Sequence, residues 1–159
     1  MARVPETRLL HNNRVVDLLA IGAEMLRGEI LYRKGDHAAA FAALRRSVDL
    51  DDALPYDEPW GWMQPTRHAL GALLLEQGRV GEAEAVFRED LGLGGQLSRA
   101  TVHPDNIWSL KGLHDCLAAR GEATEIVQVR QRLDLAQARA DRAVAASCFC
   151  AQAAMQAAE

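Results

Sequence analysis

The sequence lacks most of the features that announce a function. No run approaches the roughly eighteen apolar residues of a membrane-spanning helix. The formal net charge is −4, so no basic footprint for nucleic acid or an anionic membrane is present. A glycine-rich phosphate loop, Gly-x-Ser-x-Gly, His-Glu-x-x-His and a paired-cysteine zinc ribbon are all missing, which removes the familiar enzyme classes. The first residues, "MARVPETRLLHNNR", mix charge into their few apolar positions and do not read as a signal peptide. Three cysteines, Cys116, Cys148 and Cys150, are too few and too odd for a disulfide framework, which points to a reducing cytoplasm. Aromatic residues make up only 5%, and prolines number five. What remains is a 159-residue chain, 49% hydrophobic and 25% charged, expected to form one globular domain without membrane or nucleic-acid partners.

Those scarce residues are concentrated. The stretch "PYDEPWGWMQP", 55–65, holds two of the three tryptophans and three of the five prolines, between segments with helical periodicity. The segments "YRKGDHAAAFAALRRSVDL", "LEQGRVGEAEAVFREDLGL" and "AARGEATEIVQVRQRLDLA" align on Gly35, Gly78 and Gly121, two intervals of 43 residues. Apolar residues at three- and four-residue steps flank each glycine, so each reads as a turn joining two helices. Glycine suits that point because it takes positive φ at a helix C-terminus without a Cβ clash. Gly71, within the helix before Gly78, would allow a close helix crossing.

The segments "LGALLLEQGRVGEAEAVF", "GEILYRKGDHAAAFAAL" and, more loosely, "HDCLAARGEATEIVQVR" resemble the tetratricopeptide repeat over about residues 20 to 135. In the second repeat Gly71, Gly78, Ala83 and Phe87 fall at the motif's key positions; the first has Leu44 for the aromatic, and the third has His114 for the small residue. The resemblance implies an all-α fold: three antiparallel helical hairpins stacked as a solenoid, near 14–50, 65–92 and 105–146, the last helix running long as a C-terminal cap. The ordinary period is 34 residues, and the extra nine fall in two insertions, about 51–64 and 93–104, expected as long loops on one edge. The block from "YDEPWGWMQP" through "HPDNIWSLKGL" to "SCFC" also resembles the C-terminal region of a group of microbial tetratricopeptide-type proteins, which makes these features one candidate site.

Two readings of the first insertion stand side by side. Trp60 and Trp62 would hold the loop by burying their rings, or would form a recognition surface with Tyr56, Asp57 and Glu58 for a cationic ligand. Arg67 would serve a carboxylate or phosphate, or bridge to Asp57 or Glu58. The resemblance places Met25, Glu29, Tyr32, Arg33, His68, Ala72, Leu75, Glu76, Trp108, Lys111, Asp115 and Ala118 on a concave face suited to a peptide. The proposed ligand contacts are Tyr32, Tyr56, Asp57, Glu58, Trp60, Trp62, Arg67, His68, Trp108 and Lys111. Residues 1–13 cap the array poorly, so that end would seek a partner, a second copy of the chain, or more repeats in a longer parent chain.

The competing reading is a metal- or cofactor-binding module, extending to a metal-dependent enzyme. Cys148 and Cys150 with His68, His103 and His114 would offer soft thiolates and imidazoles to zinc or copper(I). Residues two apart on a helix point about 200° from one another, so His114 and Cys116 would not share a metal, and Cys116 reads as a core residue.

Overall fold

A computed structural model describes residues 4–99 and 101–151. The chain is mostly helical, in keeping with an all-α class. It divides into two compact units, Met1–Thr66 and Arg67–Glu159. Among the described residues no helix is long and apolar enough to cross a membrane.

In the first unit a two-residue antiparallel ladder, β1 (Leu9–Leu10) and β2 (Asn13–Arg14), leads into α1 (Val15–Arg33) and α2 (His37–Asp52). The turn between the helices follows from its sequence. Gly35 adopts φ 84°, and Asp36 N–H reaches back to the Leu31 carbonyl at 3.1 Å, satisfying a helix-end acceptor. The Asp36 carboxylate then accepts from Ala39 N–H and caps α2. Across the pair, a Cβ at Gly28 would lie 2.5 Å from Leu44 Cγ, so only glycine permits this approach. Leu18, Ile21, Met25, Tyr32, Ala40, Phe41 and Leu44 are buried there.

Residues 53–65 form turns and bends that the N-terminal ladder holds in place. The buried Asn13 side chain donates to Pro55 O at 3.3 Å and to Asp57 Oδ2 at 3.2 Å, and Asn12 Nδ2 donates to Tyr56 O at 2.9 Å. Trp62 lies against α1: a Cβ at Gly22 would come 2.6 Å from its ring.

The second unit is built from α3 (Thr66–Glu76), whose first residue closes the preceding unit, with α4 (Val80–Asp90), α5 (Ile107–Arg120) and α6 (Glu125–Gln137). Gly78 and Gly121, both at φ 70°, turn the chain between α3 and α4 and between α5 and α6. The Phe87 ring, fully buried, sits where Cβ atoms at Gly71 of α3 and Gly112 of α5 would be, so two glycines make the slot for one aromatic. Leu70, Leu73, Leu74, Leu110, Leu113 and Leu117 complete this core. Arg88 ties α4 to α6 through two bonds to Glu125, at 2.7 and 2.6 Å.

The last helix is shorter than the sequence suggests. It stops at Gln137 rather than running to 146, and the Gln137 side chain fixes the stop by donating to Arg142 O at 2.8 Å and accepting from Val144 N–H at 2.9 Å. Beyond Leu133 the apolar spacing gives way to "QARADR", which supplies nothing to bury a further turn.

Candidate functional site

Two constellations in the second unit stand out, a buried polar network and an open cavity. The network centres on Asp90, the last residue of α4, which is 1% exposed. Its carboxylate meets His103 Nδ1 at 2.8 Å and His68 Nε2 at 3.2 Å, and accepts from Ser109 Oγ at 2.5 Å. The Asp90 carbonyl also accepts from His103 N–H at 2.6 Å. One side chain thereby joins α3, α4, α5 and the loop before α5. Burial alone would raise the Asp90 carboxyl. Hydrogen bonding to His103 and His68 outweighs it and holds the group well below the usual carboxylate range. The arrangement fits a structural anchor, because His68, Asp90 and Ser109 are all buried.

The cavity has a volume of about 320 Å³ and is lined by Lys111 and His114 of α5, by Arg130, Leu133, Asp134 and Gln137 of α6, and by Val144. Two of the residues that border it follow a spacing that occurs twice earlier in the sequence. Gly28 meets Leu44 and Gly71 meets Phe87, each sixteen residues on. At the same spacing in α5 and α6 stand His114 and Arg130, and in place of an apolar side chain seated on a glycine they border the cavity. Lys111 Nζ bonds both Asp115 oxygens, at 2.6 and 2.5 Å, and Arg130 Nε donates to Asp134 Oδ1 at 2.8 Å. Among the described residues the terminal nitrogens of Arg130 make no hydrogen bond. His114 Nδ1 lies 3.4 Å from Asp115 Oδ1. The lining therefore combines the cationic or imidazole side chains of Lys111, His114 and Arg130 with the apolar Leu133 and Val144.

The other residues singled out in the sequence fall as follows. Tyr32 is 4% exposed and belongs to the α1–α2 core, its ring 4.8 Å from His37 and 6.0 Å from Phe41, so it lines no groove. Asp57 is buried, and its oxygens accept from Asn12 N–H, Asn13 Nδ2 and Glu58 N–H; it locks the insertion instead of presenting a charge. Tyr56 is exposed and donates to Glu58 Oε2 at 2.7 Å. Trp60 is exposed, whereas Trp62 is half-buried on Gly22, so Trp62 holds the loop by burying its ring. Arg67 is half-buried, and His68 is committed to Asp90. Trp108 packs against Phe149 with ring centroids 5.1 Å apart.

The suggested metal ligands do not converge. His68 and His103 share Asp90, His114 stands beside Asp115, and Cys148 and Cys150 are bonded to each other as a disulfide. Among the described residues no group of three or more histidine, cysteine or acidic side chains is placed to hold a metal ion. Cys116 is a buried free thiol, pushed up to about 12 by burial, with Glu84 and Asp115 adding to the effect.

Asp90, Ser109, Arg130, Asp134 and Asn13 were not singled out by the sequence. Asp90 carried a faint signal as an acid closing a helix C-terminus, where the helix dipole disfavours negative charge. Arg130 carried a clearer one, a cation sixteen residues after His114, the spacing that separates Gly28 from Leu44 and Gly71 from Phe87.

No protein-family model matches the chain. No curated protein and no solved structure matches it either.

Proposed function

We propose that the chain is a tetratricopeptide-like array of three antiparallel helical hairpins, acting as a binding module for a peptide segment of a partner protein. The observation that carries this reading is the cavity between α5 and α6, opened where the repeat pattern exchanges a packed pair for His114 and Arg130. The positive-φ glycines at 35, 78 and 121 and the glycine notches at 28 and 71 support the repeat itself. The anchoring role falls to Lys111, His114 and Arg130, while Tyr32 and His68 serve the core.

The lining determines the kind of segment that fits. The terminal nitrogens of Arg130 present a planar fork matched to a carboxylate. Leu133 and Val144 would receive an adjacent apolar side chain, and Asp134 rejects a second negative charge placed beside it. A peptide with one carboxylate next to an aliphatic residue meets all three conditions. The test is selection from a random heptapeptide library, followed by titration of the enriched peptides against wild type, Arg130→Ala and Lys111→Ala. Enriched sequences should share an acid–aliphatic pair and bind Arg130→Ala at least about tenfold more weakly, the worth of one charge-assisted contact. Equal binding to wild type and both variants would refute the assignment.

A further inference from the structure

The Cys148–Cys150 bond is unsuited to a structural staple. It closes a ring across one residue, Phe149, and ties no element to another. A cross-link this local removes far less entropy from the unfolded chain than one closing a long loop. Its sulfurs are also unequal. Cys148 is 4% exposed, whereas Cys150 is half-buried and reachable. The backbone N–H of Cys150 donates to Cys148 Sγ at 3.2 Å, so a hydrogen-bond donor is already aimed at the inner sulfur. A donor there stabilises negative charge on Cys148, and a stabilised thiolate is the better leaving group in exchange.

We propose that Cys148–Cys150 is a thiol–disulfide exchange site, reduced by external thiols through Cys150. An incoming thiolate attacks Cys150 Sγ, the Sγ–Sγ bond breaks, and its electron pair goes to Cys148 Sγ beneath the Cys150 N–H. The product is a mixed disulfide on Cys150 and a thiolate, then thiol, at Cys148. A second thiolate attacks the sulfur of the bound thiol and releases a small disulfide and the Cys150 thiolate. Two external thiols are oxidised, one protein disulfide is reduced, and the two thiol protons end on Cys148 and Cys150. The reporter is built in. Phe149, between the two cysteines and 66% exposed, lies on the Trp108 ring of α5, so opening the ring of atoms around Phe149 alters the surroundings of that tryptophan. The redox partner is a thiol of low molecular mass or a protein cysteine; the chemistry is the same for both.

The experiment equilibrates the full chain with glutathione buffers of graded ratio and, in a second arm, with a small Cys-x-x-Cys dithiol protein. Alkylation and peptide mapping then read each cysteine separately, so Cys116 is counted apart. The expected result is a single two-electron transition of the pair in at least one arm. Tryptophan fluorescence should change at the same ratios, and Phe149→Ala should abolish that change without moving the transition. Cys148→Ser should trap glutathione on Cys150 at least about tenfold faster than Cys150→Ser traps it on Cys148. A pair that stays oxidised or stays reduced throughout both arms would overturn the proposal, as would equal trapping rates in the two variants. Circular dichroism of each variant confirms that the fold is intact.

Discussion

Replacing Asp90 by asparagine perturbs the polar network of the second unit while keeping the shape of the side chain. The carboxylate is buried and serves three side-chain partners, Ser109 Oγ, His103 Nδ1 and His68 Nε2. An amide of the same shape keeps one acceptor oxygen and turns a donor toward groups that need an acceptor. Charge-assisted hydrogen bonds contribute about 1.5–3 kcal/mol each, and leaving a buried donor unpaired costs about 1–3 kcal/mol. Losing one such bond and straining another therefore predicts about 3 kcal/mol for Asp90→Asn. Asp90→Ala strands all three partners and should lose about 4–5 kcal/mol. For a chain of this length the asparagine change corresponds to a Tm lower by roughly 6–12 °C. The pH dependence has a definite sign. A carboxyl depressed in the folded state stabilises fully above its unfolded value, about 3.9, and that contribution is lost as pH falls toward the folded value. Urea unfolding followed by circular dichroism at stepped pH should show wild type losing stability below about pH 5 more steeply than Asp90→Asn, with the two curves converging in acid. A variant within about 0.5 kcal/mol of wild type at neutral pH would refute the network as an anchor, as would parallel pH profiles.

Other substitutions test the packing. Gly112→Ala places a methyl group in the Phe87 ring, and the overpacking, about 1–3 kcal/mol, should exceed the gain of up to about 1 kcal/mol in helix propensity. A variant more stable than wild type by urea titration would show that the slot is not filled as described. Asn13→Ala removes donors to Pro55 O and Asp57 Oδ2, and it should cost about 1–2 kcal/mol. Limited proteolysis should then cut within 53–65 sooner than in wild type; unchanged cleavage kinetics would deny Asn13 its role as the loop's tether.

The helices and their turns were legible because glycine spacing and apolar period are local signals. Gly35, Gly78 and Gly121 announce their turns, and Gly71 announces a close helix approach, which the structure gives to Phe87. The second glycine in that slot, Gly112, was not read, because it belongs to a different helix and its partner is 25 residues away. The polar residues were less legible for the same reason. Asp57 and His68 look like ligand contacts in a sequence, since nothing local reveals that Asn13 lies against one and Asp90 against the other. The end of α6 was missed because a side chain, Gln137, closes it where no glycine or proline marks the place. The cavity was half visible: Lys111 drew attention by its place on the expected concave face and His114 by residue type, and Arg130 acquires meaning only when its position is set beside Leu44 and Phe87.

The central claim is that a peptide segment binds at the α5–α6 cavity. Hydrogen–deuterium exchange of the full chain, with and without a library-enriched peptide, tests it most directly. The account predicts slowed exchange in residues 107–120 and 125–144 on addition of peptide, and loss of that protection in Arg130→Ala. Protection confined to residues outside these segments, or protection that survives in Arg130→Ala, would contradict it.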